Sequence, residues 1–417
     1  MNKEMILAMN LKSAEFVVES DPRWMGVYRA DEVLEGYDPE TILHSGPPIP
    51  YERMCELHKR GMRNGAILEG FAADEREADR LLSSGKIKVD SAMNYNTVGS
   101  GVGIITRSVP LLVVEDARTG RRAGVFPSEG KFGGGFCGWG VYSPEIRDNL
   151  FYMRDKLFSP ITKQLEACGG FALADIIRDG ILMGDENHSS QRAVDALFIR
   201  KILPLALSCE NAEELLKYFA STNRFFHNFG QAASRAAILG CVGTPYSTMV
   251  TAAGGNGVEY GIKIASLGNE WFTAPSPMIR GKYMVEGACE ENQLPWIGDS
   301  SIVECAGLGG IISAASPEVA SFRGDSLADA VNTTREMQRI SIRLNTHIRI
   351  PTMDFDHSPV GIDMLKVVDT GILPLIDGGM IGKDGGWMGA GCARIPLECF
   401  EKAKLAYAEK YGAIYEK

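Results

Sequence analysis

Apolar and polar positions along the chain follow two different periods, and the period changes twice. Residues 109–115 form a continuous apolar run of strand length, which predicts a strand buried on both faces. Ile42-Leu43-His44 is a shorter run that ends at Ser45-Gly46-Pro47-Pro48, a strand entering a turn. Residues 51–63 carry a helical period, residues 66–68 read as strand-like, and residues 74–82 as a charged amphipathic helix. Helix and strand alternation of this kind predicts α/β layering. From residue 144 to about residue 240 helical patterns dominate, over 146–165, 193–203, 212–220 and 225–239. Mixed signals then return. Residues 248–252 and 260–265 flank Gly254-Gly255-Asn256-Gly257, a hairpin signature with a loop longer than the tightest form. Residues 327–344 predict one long charged helix and residues 396–410 an amphipathic closing helix. The pattern as a whole predicts an α+β fold. An α/β domain spans 1–143, a helical domain 144–244, and an α/β domain with a C-terminal helix 245–417.

Composition narrows the function classes. A chain of 417 residues with 45% hydrophobic content can bury a large core. Its 53 acidic residues outnumber 43 basic ones, a net charge of -10, and such a surface repels phosphate backbones. Nucleic acid is therefore excluded as a partner, while a local basic pocket for a small anion is not. No stretch approaches the ~20 apolar residues of a membrane span. The opening Met1-Asn2-Lys3-Glu4 has no basic region leading into an apolar run. A cytosolic location is expected. The nine cysteines are scattered without a CxxC pair, so they read as small buried hydrophobes in a reducing compartment. Glycine is abundant, with 47 residues that cluster without a period, which points to tight turns and to backbone lying close to something.

Four segments carry candidate chemistry. In Gly184-Asp185-Glu186-Asn187-His188-Ser189-Ser190-Gln191-Arg192, a helix would place Asp185, His188 and Arg192 on one face. That sets an acid, a titratable base and a fixed cation side by side, with Glu186 as a second acid. Asp185 can equally serve as the cap of a helix that follows. In Gly298-Asp299-Ser300-Ser301, the hydroxyls and the backbone N–H groups of a helix start suit an anion. Asn94 to Gly103 is glycine-rich without the dinucleotide spacing. It reads as a loop that brings Asn96 and the backbone near Gly99 to a ligand. Gly378 to Gly391 reads as a mobile or tightly folded loop from which Lys383 brings a charge to a site.

No zinc or calcium motif is present, so neither metal nor cofactor is expected. His44, His58, His227, His347 and His357 read as structural. There is no G-x-S-x-G elbow to support a hydrolase triad.

Several stretches together resemble one family. They are Leu43-His44-Ser45-Gly46-Pro47-Pro48, Leu68-Glu69-Gly70-Phe71-Ala72, Asn96-Thr97-Val98-Gly99 running on to Pro110-Leu111-Leu112-Val113-Val114-Glu115, and Gly184 to His188. Leu267-Gly268, Trp271 to Pro275, Gly298-Asp299-Ser300, Asp354-Phe355, Gly361-Ile362-Asp363 and Thr370 to Ile376 complete the set. The resemblance is to a bacterial family long catalogued as a domain of unknown function. One branch of it is a subunit of the oxamate carbamoyltransferase of anaerobic allantoin and purine breakdown.

The resemblance implies transfer of a carbamoyl group between oxalurate and carbamoyl phosphate. It also implies a small anionic substrate and two partner subunits, one of them similar to succinyl-CoA synthetases. That chemistry asks for cations or N–H donors for phosphate, preorganised donors for a tetrahedral oxyanion, and a positioned acid or base. His188 with Asp185 is expected to supply the last, and Arg192 with residues 298–301 the first. Ser221-Thr222-Asn223-Arg224 only superficially resembles the phosphate loop of ordinary transcarbamoylases, its order being different. Two alternatives stand beside this reading: a non-catalytic scaffold or regulatory subunit, and a stand-alone enzyme on a small amide or carboxylate. Oligomerisation is expected from the plentiful methionine and aromatic residues.

Overall fold

The computed structural model describes residues 3–222 and 224–412 and shows a mixed α/β protein. Its largest sheet has five strands in the order Thr97–Val98, Arg121–Val125, Pro110–Asp116, Pro22–Arg29, Phe171–Ala172. Pro110–Asp116 is central, which is why its sequence is apolar without alternation: Leu111 to Val114 are all buried. Against this sheet packs the helix Phe226–Leu239, buried along nearly its whole length. Its Gly230, Ala232, Ala233, Ala236 and Ala237 let neighbouring backbone come close on every side. Its one buried cation, Arg235, donates to the carbonyls of Thr251 (2.8 Å) and Met93 (3.2 Å).

A four-stranded sheet follows, ordered Phe272–Pro275, Glu259–Ile264, Val250–Asn256, Ile297–Gly298. A third sheet joins Arg280–Tyr283, Trp387–Arg394 and Leu375–Ile381. Among the described residues, 144–244 holds six α-helices and the two-residue strand Phe171–Ala172. Two apolar cores result. The larger runs from Ala14 to Tyr407. The smaller gathers residues between Ala30 and Leu150 with Leu294, Ile297 and Ile381.

Several local expectations are corrected. Residues 66–68 end the helix Glu56–Leu68 and are not a strand. The preceding Gly65 is there because the helix packs tightly on Ile42 and Thr106, not because the helix stops. The helix expected over 327–344 stops at Ile340, and Ser341–Ile350 is a strand paired with Asp356–Ile362. The apolar residues Ile342, Ile348 and Ile350 keep the two-residue period of that strand. The loop expected over 378–391 is an antiparallel hairpin, Leu375–Ile381 against Trp387–Arg394. Its glycines reflect crowding: a Cβ on Gly389 would lie 2.1 Å from the Lys282 carbonyl oxygen. In the hairpin at 250–264, Gly254 and Gly255 belong to the strand, and the loop is only Gly257-Val258. The helix expected over 146–165 is two helices, Pro144–Tyr152 and Ser159–Cys168, joined by a π turn. Asn223 of the Ser221 to Arg224 stretch lies outside the described residues.

Among the described residues no helix is long and apolar enough to cross a membrane. All nine cysteines are unpaired thiols, six of them buried.

Candidate functional site

The segment 184–191 is not helical. Gly184 (φ 90°) ends the helix Ala174–Leu182, and Asn187 takes a left-handed conformation (φ 67°). Carboxylates hold the turn together. Asp185 Oδ1 accepts from the Asn187 N–H (3.1 Å), and its Oδ2 accepts from the N–H groups of Ala193 (2.9 Å) and Val194 (3.2 Å), capping the helix Arg192–Leu207. Glu186 Oε1 accepts from the N–H groups of His188 (3.2 Å) and Ser190 (2.7 Å). The Glu186 carbonyl accepts from the Gly309 N–H (2.9 Å), which ties this turn to the segment after Glu304. Burial raises Asp185 to about 6 against these hydrogen bonds, and pushes Glu186 well above the carboxylate range with help from Asp377 and Asp185. Both acids thus shape the turn, and the side chain the turn presents is His188.

His188 is 1% exposed. Its Nδ1 lies 2.8 Å from Glu304 Oε1 and 2.9 Å from Asp377 Oδ1, and both acids are fully buried. Glu304 comes from the short helix Ile302–Cys305 and Asp377 from the strand Leu375–Ile381. The turn at Gly309 makes room for the Glu304 carboxylate. With φ 61°, a Cβ there would lie 2.4 Å from Glu304 Oε1, while the Gly310 N–H donates to that same oxygen (3.0 Å). Burial alone would lower the His188 pKa, but the charges of Glu304 and Asp377 outweigh it and push it up to about 10. The imidazole is therefore a cation at neutral pH. It is not the base poised near neutrality that its residue type suggests. Burial raises Glu304 to about 7 despite His188, whereas His188 overcomes burial at Asp377 and holds it ionised below the usual range.

His227 stacks on His188, with ring centroids 5.5 Å apart and planes at 19°. Its Nδ1–H donates to the His188 carbonyl (3.1 Å), and its Nε2 accepts from the Gln231 amide. Burial, then the charges of Arg224 and His188, push it well below the usual imidazole value, so the stacked partner is neutral. The His188 carbonyl also accepts from Arg224 Nη2 (3.1 Å).

His188, His227 and Arg224 line a cavity of about 430 Å³. The remaining wall includes Ser100, Ser128, Asn228 and Ser300, glycines from three segments of the chain, and Trp139, Trp296 and Trp387. Among the described residues that line it, Arg224 is the only arginine or lysine. Among the described residues Nε2 of His188 has no hydrogen-bond partner, and it belongs to a residue that lines this space.

Of the residues singled out from the sequence, His188 and Ser300 line the cavity. Neither begins a long helix: Ser300 precedes a helix of four residues. Asp299 and Gly99 serve the walls. Asp299 is buried, and its two oxygens accept from the N–H groups of Gly46 (2.7 Å) and Gly99 (3.0 Å), stitching three segments together. Burial raises it to about 7. Ser301 Oγ is engaged by the Tyr260 hydroxyl (2.8 Å) and the Ala253 carbonyl (2.9 Å). Asn96 faces Arg235 (3.2 Å) and a separate hollow. Lys383 sits exposed at the hairpin end, bonded to the Glu291 carbonyl (2.8 Å). Arg192 does not share a face with His188. Its side chain is 86% exposed and pairs with Glu318. Arg192→Ala is expected to leave turnover within about twofold and stability within about 0.5 kcal/mol, as for other exposed pairs, by steady-state assay and denaturant titration.

The sequence carries no local signal for Glu304, Asp377, Arg224 or the tryptophans, and His227, expected to be structural, lines the cavity. No local spacing links residues 188, 304 and 377. The nearest signal is Gly307-Leu308-Gly309-Gly310, whose Gly309 makes room for a carboxylate five residues upstream. Although no metal motif is written in the sequence, the His188–Glu304–Asp377 group has the donor types that hold a divalent ion.

A further buried acid sits behind the glycine-rich wall. Glu129 accepts from the N–H groups of Phe136 (3.0 Å) and Cys137 (2.8 Å), and burial raises it to about 8. Its folded pKa exceeds the unfolded value. The stability it contributes is thus complete below about 4.5 and lost as pH rises through about 8. Glu129→Gln is expected to flatten the decline of melting temperature between pH 5 and 8.5, measured by circular dichroism, whatever its absolute stability.

Fold and cavity together define a mixed α/β protein with a ligand-sized cavity beside a buried, carboxylate-flanked imidazolium. The family model described as oxamate carbamoyltransferase subunit AllG matches residues 87–300. The chain is 33% identical over 412 residues to the oxamate carbamoyltransferase subunit AllG of Escherichia coli (strain K12), covering 97% of this chain and 98% of that protein. It is 32% identical over 413 residues to the uncharacterized protein YahG of the same organism, covering 98% of this chain and 87% of YahG. A crystal structure of a conserved protein of unknown function from Enterococcus faecalis V583 superposes with a TM-score of 0.89 at 29% identity, over 97% of this chain and 98% of that one. The chain belongs to the AllG family.

Proposed function

We propose that the chain is a cytoplasmic subunit of a multi-subunit carbamoyltransferase and that the 430 Å³ cavity is its carbamoyl-transfer site. The reaction moves the carbamoyl group of oxalurate to phosphate, giving oxamate and carbamoyl phosphate. A phosphate oxygen adds to the carbamoyl carbon, the C–N bond breaks, and the oxamate nitrogen takes a proton. The partners are two further subunits, one resembling succinyl-CoA synthetases.

One observation carries the assignment to this cavity: a family of carbamoyltransferase subunits, and in this member a buried imidazolium with its unpartnered Nε2 on a ligand-sized space. With Nδ1 fixed by Glu304, the Nε2–H is a donor held in place before substrate arrives, which suits the oxyanion of a tetrahedral intermediate. Arg224 supplies a positive charge for the phosphate or the oxalurate carboxylate, and the Ser128 and Ser300 hydroxyls add donors.

The test is reconstitution with the partner subunits and measurement of carbamoyl phosphate formed from oxalurate and phosphate. Activity that requires this chain and is lost in a cavity variant supports the reading. Full activity without the chain sinks it, and turnover that survives every cavity variant points to the scaffold alternative. Arg224→Ala is expected to raise the KM for phosphate about tenfold or more, because a charged hydrogen bond contributes ~1.5–3 kcal/mol. Initial rates against phosphate concentration measure it.

A further inference from the structure

We propose that His188, Glu304 and Asp377 form a binding site for one divalent transition-metal ion, held through Nδ1 and one carboxylate oxygen from each acid. The inference stands apart from the carbamoyl-transfer reading, since it concerns binding and not turnover.

Geometry is the first support. One ligand atom from each residue lies within 4.8 Å of the others, and Nδ1 is 2.8 and 2.9 Å from its two carboxylate neighbours. Adjacent ligands around an ion with bonds of roughly 2.0–2.2 Å stand about 3 Å apart. The second support is independent of that spacing. Nδ1 has a single N–H for two carboxylates, and it aligns on Glu304. Among the described residues no backbone N–H donates to either oxygen of Asp377, whose polar neighbours are the His188 ring, the Glu304 carboxyl and the Ser189 hydroxyl, although both acids are fully buried. Two carboxyl groups buried side by side with so few fixed donors call for a cation.

Charge points the same way. Asp377, Glu304 and the neighbouring Glu186 are buried around one imidazole, and among the described residues no lysine or arginine pairs with any of them. A dication that replaces the Nδ1 proton raises the positive charge facing these acids. The supporting contacts also suit a ligand set held in advance. Glu304 Oε1 is fixed by the N–H groups of Gly310 (3.0 Å) and Asp377 (3.2 Å), and the Ser189 hydroxyl lies beside the Asp377 carboxylate. One imidazole with two carboxylates favours Mn²⁺, Fe²⁺ or Zn²⁺ over the all-oxygen sites of Mg²⁺ and Ca²⁺. Bound through Nδ1, His188 keeps its proton on Nε2, so the side facing the cavity is unchanged.

The test uses the full chain, stripped with a chelator and titrated calorimetrically with Mn²⁺ and, separately, Zn²⁺. One ion per chain is expected for at least one of the two, with a rise in melting temperature on binding. Asp377→Asn and Glu304→Gln are expected to weaken binding roughly 100-fold and to abolish that rise, and Glu336→Gln, in a surface pair, to bind as the parent does. A parent chain that takes up neither ion at millimolar concentration overturns the proposal, as does either site variant binding within threefold of the parent. A Mn²⁺-soaked crystal needs no variant. An anomalous peak among the three side chains supports the site, and a peak only elsewhere, or none, refutes it.

Discussion

Replacing His188 with alanine is expected to cut turnover of the reconstituted complex by about 10²–10³-fold, the range seen when a preorganised donor to an oxyanion is removed. The same change is expected to cost about 3–5 kcal/mol of stability, because it strips two fully buried carboxylates of the cation between them. The two effects can be separated. Turnover is measured at low temperature on protein shown to be folded, and stability by denaturant titration. If stability falls while turnover per folded molecule is unchanged, His188 is a structural cation and the cavity's chemistry lies elsewhere. A second cation cannot substitute locally: Arg224 touches the His188 carbonyl, not the carboxylates.

Asp299→Ala is the other large expected effect, and it is one of stability. The carboxylate satisfies the buried N–H groups of Gly46 and Gly99, and each buried donor left unpaired costs about 1–3 kcal/mol, so the loss is expected at about 2–6 kcal/mol. Asp299→Asn keeps one acceptor and is expected to lose about half of that. These segments lie in close backbone contact. A Cβ on Gly46 would lie 2.4 Å from the backbone of Gly255, and one on Gly254 would lie 2.3 Å from Asp299 Oδ1. Denaturant midpoints check the series. If Asp299→Asn instead raised a substrate KM and left stability intact, Asp299 would be a ligand group and not a stitch.

Much of the fold is legible in the chain because local pattern and tertiary role agree. The run before Asp116 is apolar because its strand is covered on both faces, and Asp74 starts a helix because its carboxylate accepts from the Glu77 N–H. Legibility fails where glycine or a short apolar run has two physical uses. The glycines at 378–391 look like a loop when read alone, yet they serve strands that carry backbone past backbone and past Trp296. At the site, His188 was readable as a lone imidazole among acids, but the acids that matter to it are not its neighbours in sequence. Asp185 and Glu186 bond backbone N–H groups, whereas Glu304 and Asp377 arrive from 116 and 189 positions away. That pairing exists only once helix, turn and strand have packed, and no one-dimensional spacing encodes it. Arg192 misled for the converse reason: a helical period was applied to a segment that Gly184 and Asn187 bend out of the helix.

In the proposed site the imidazolium fixed by Glu304 and Asp377 meets the substrate through Nε2. A crystal structure with oxamate and phosphate bound measures this directly. One of the two anions is expected within hydrogen-bond distance of His188 Nε2, with Arg224 on the same ligand. Both anions bound away from the cavity, or bound in it while Nε2 touches neither, would contradict it.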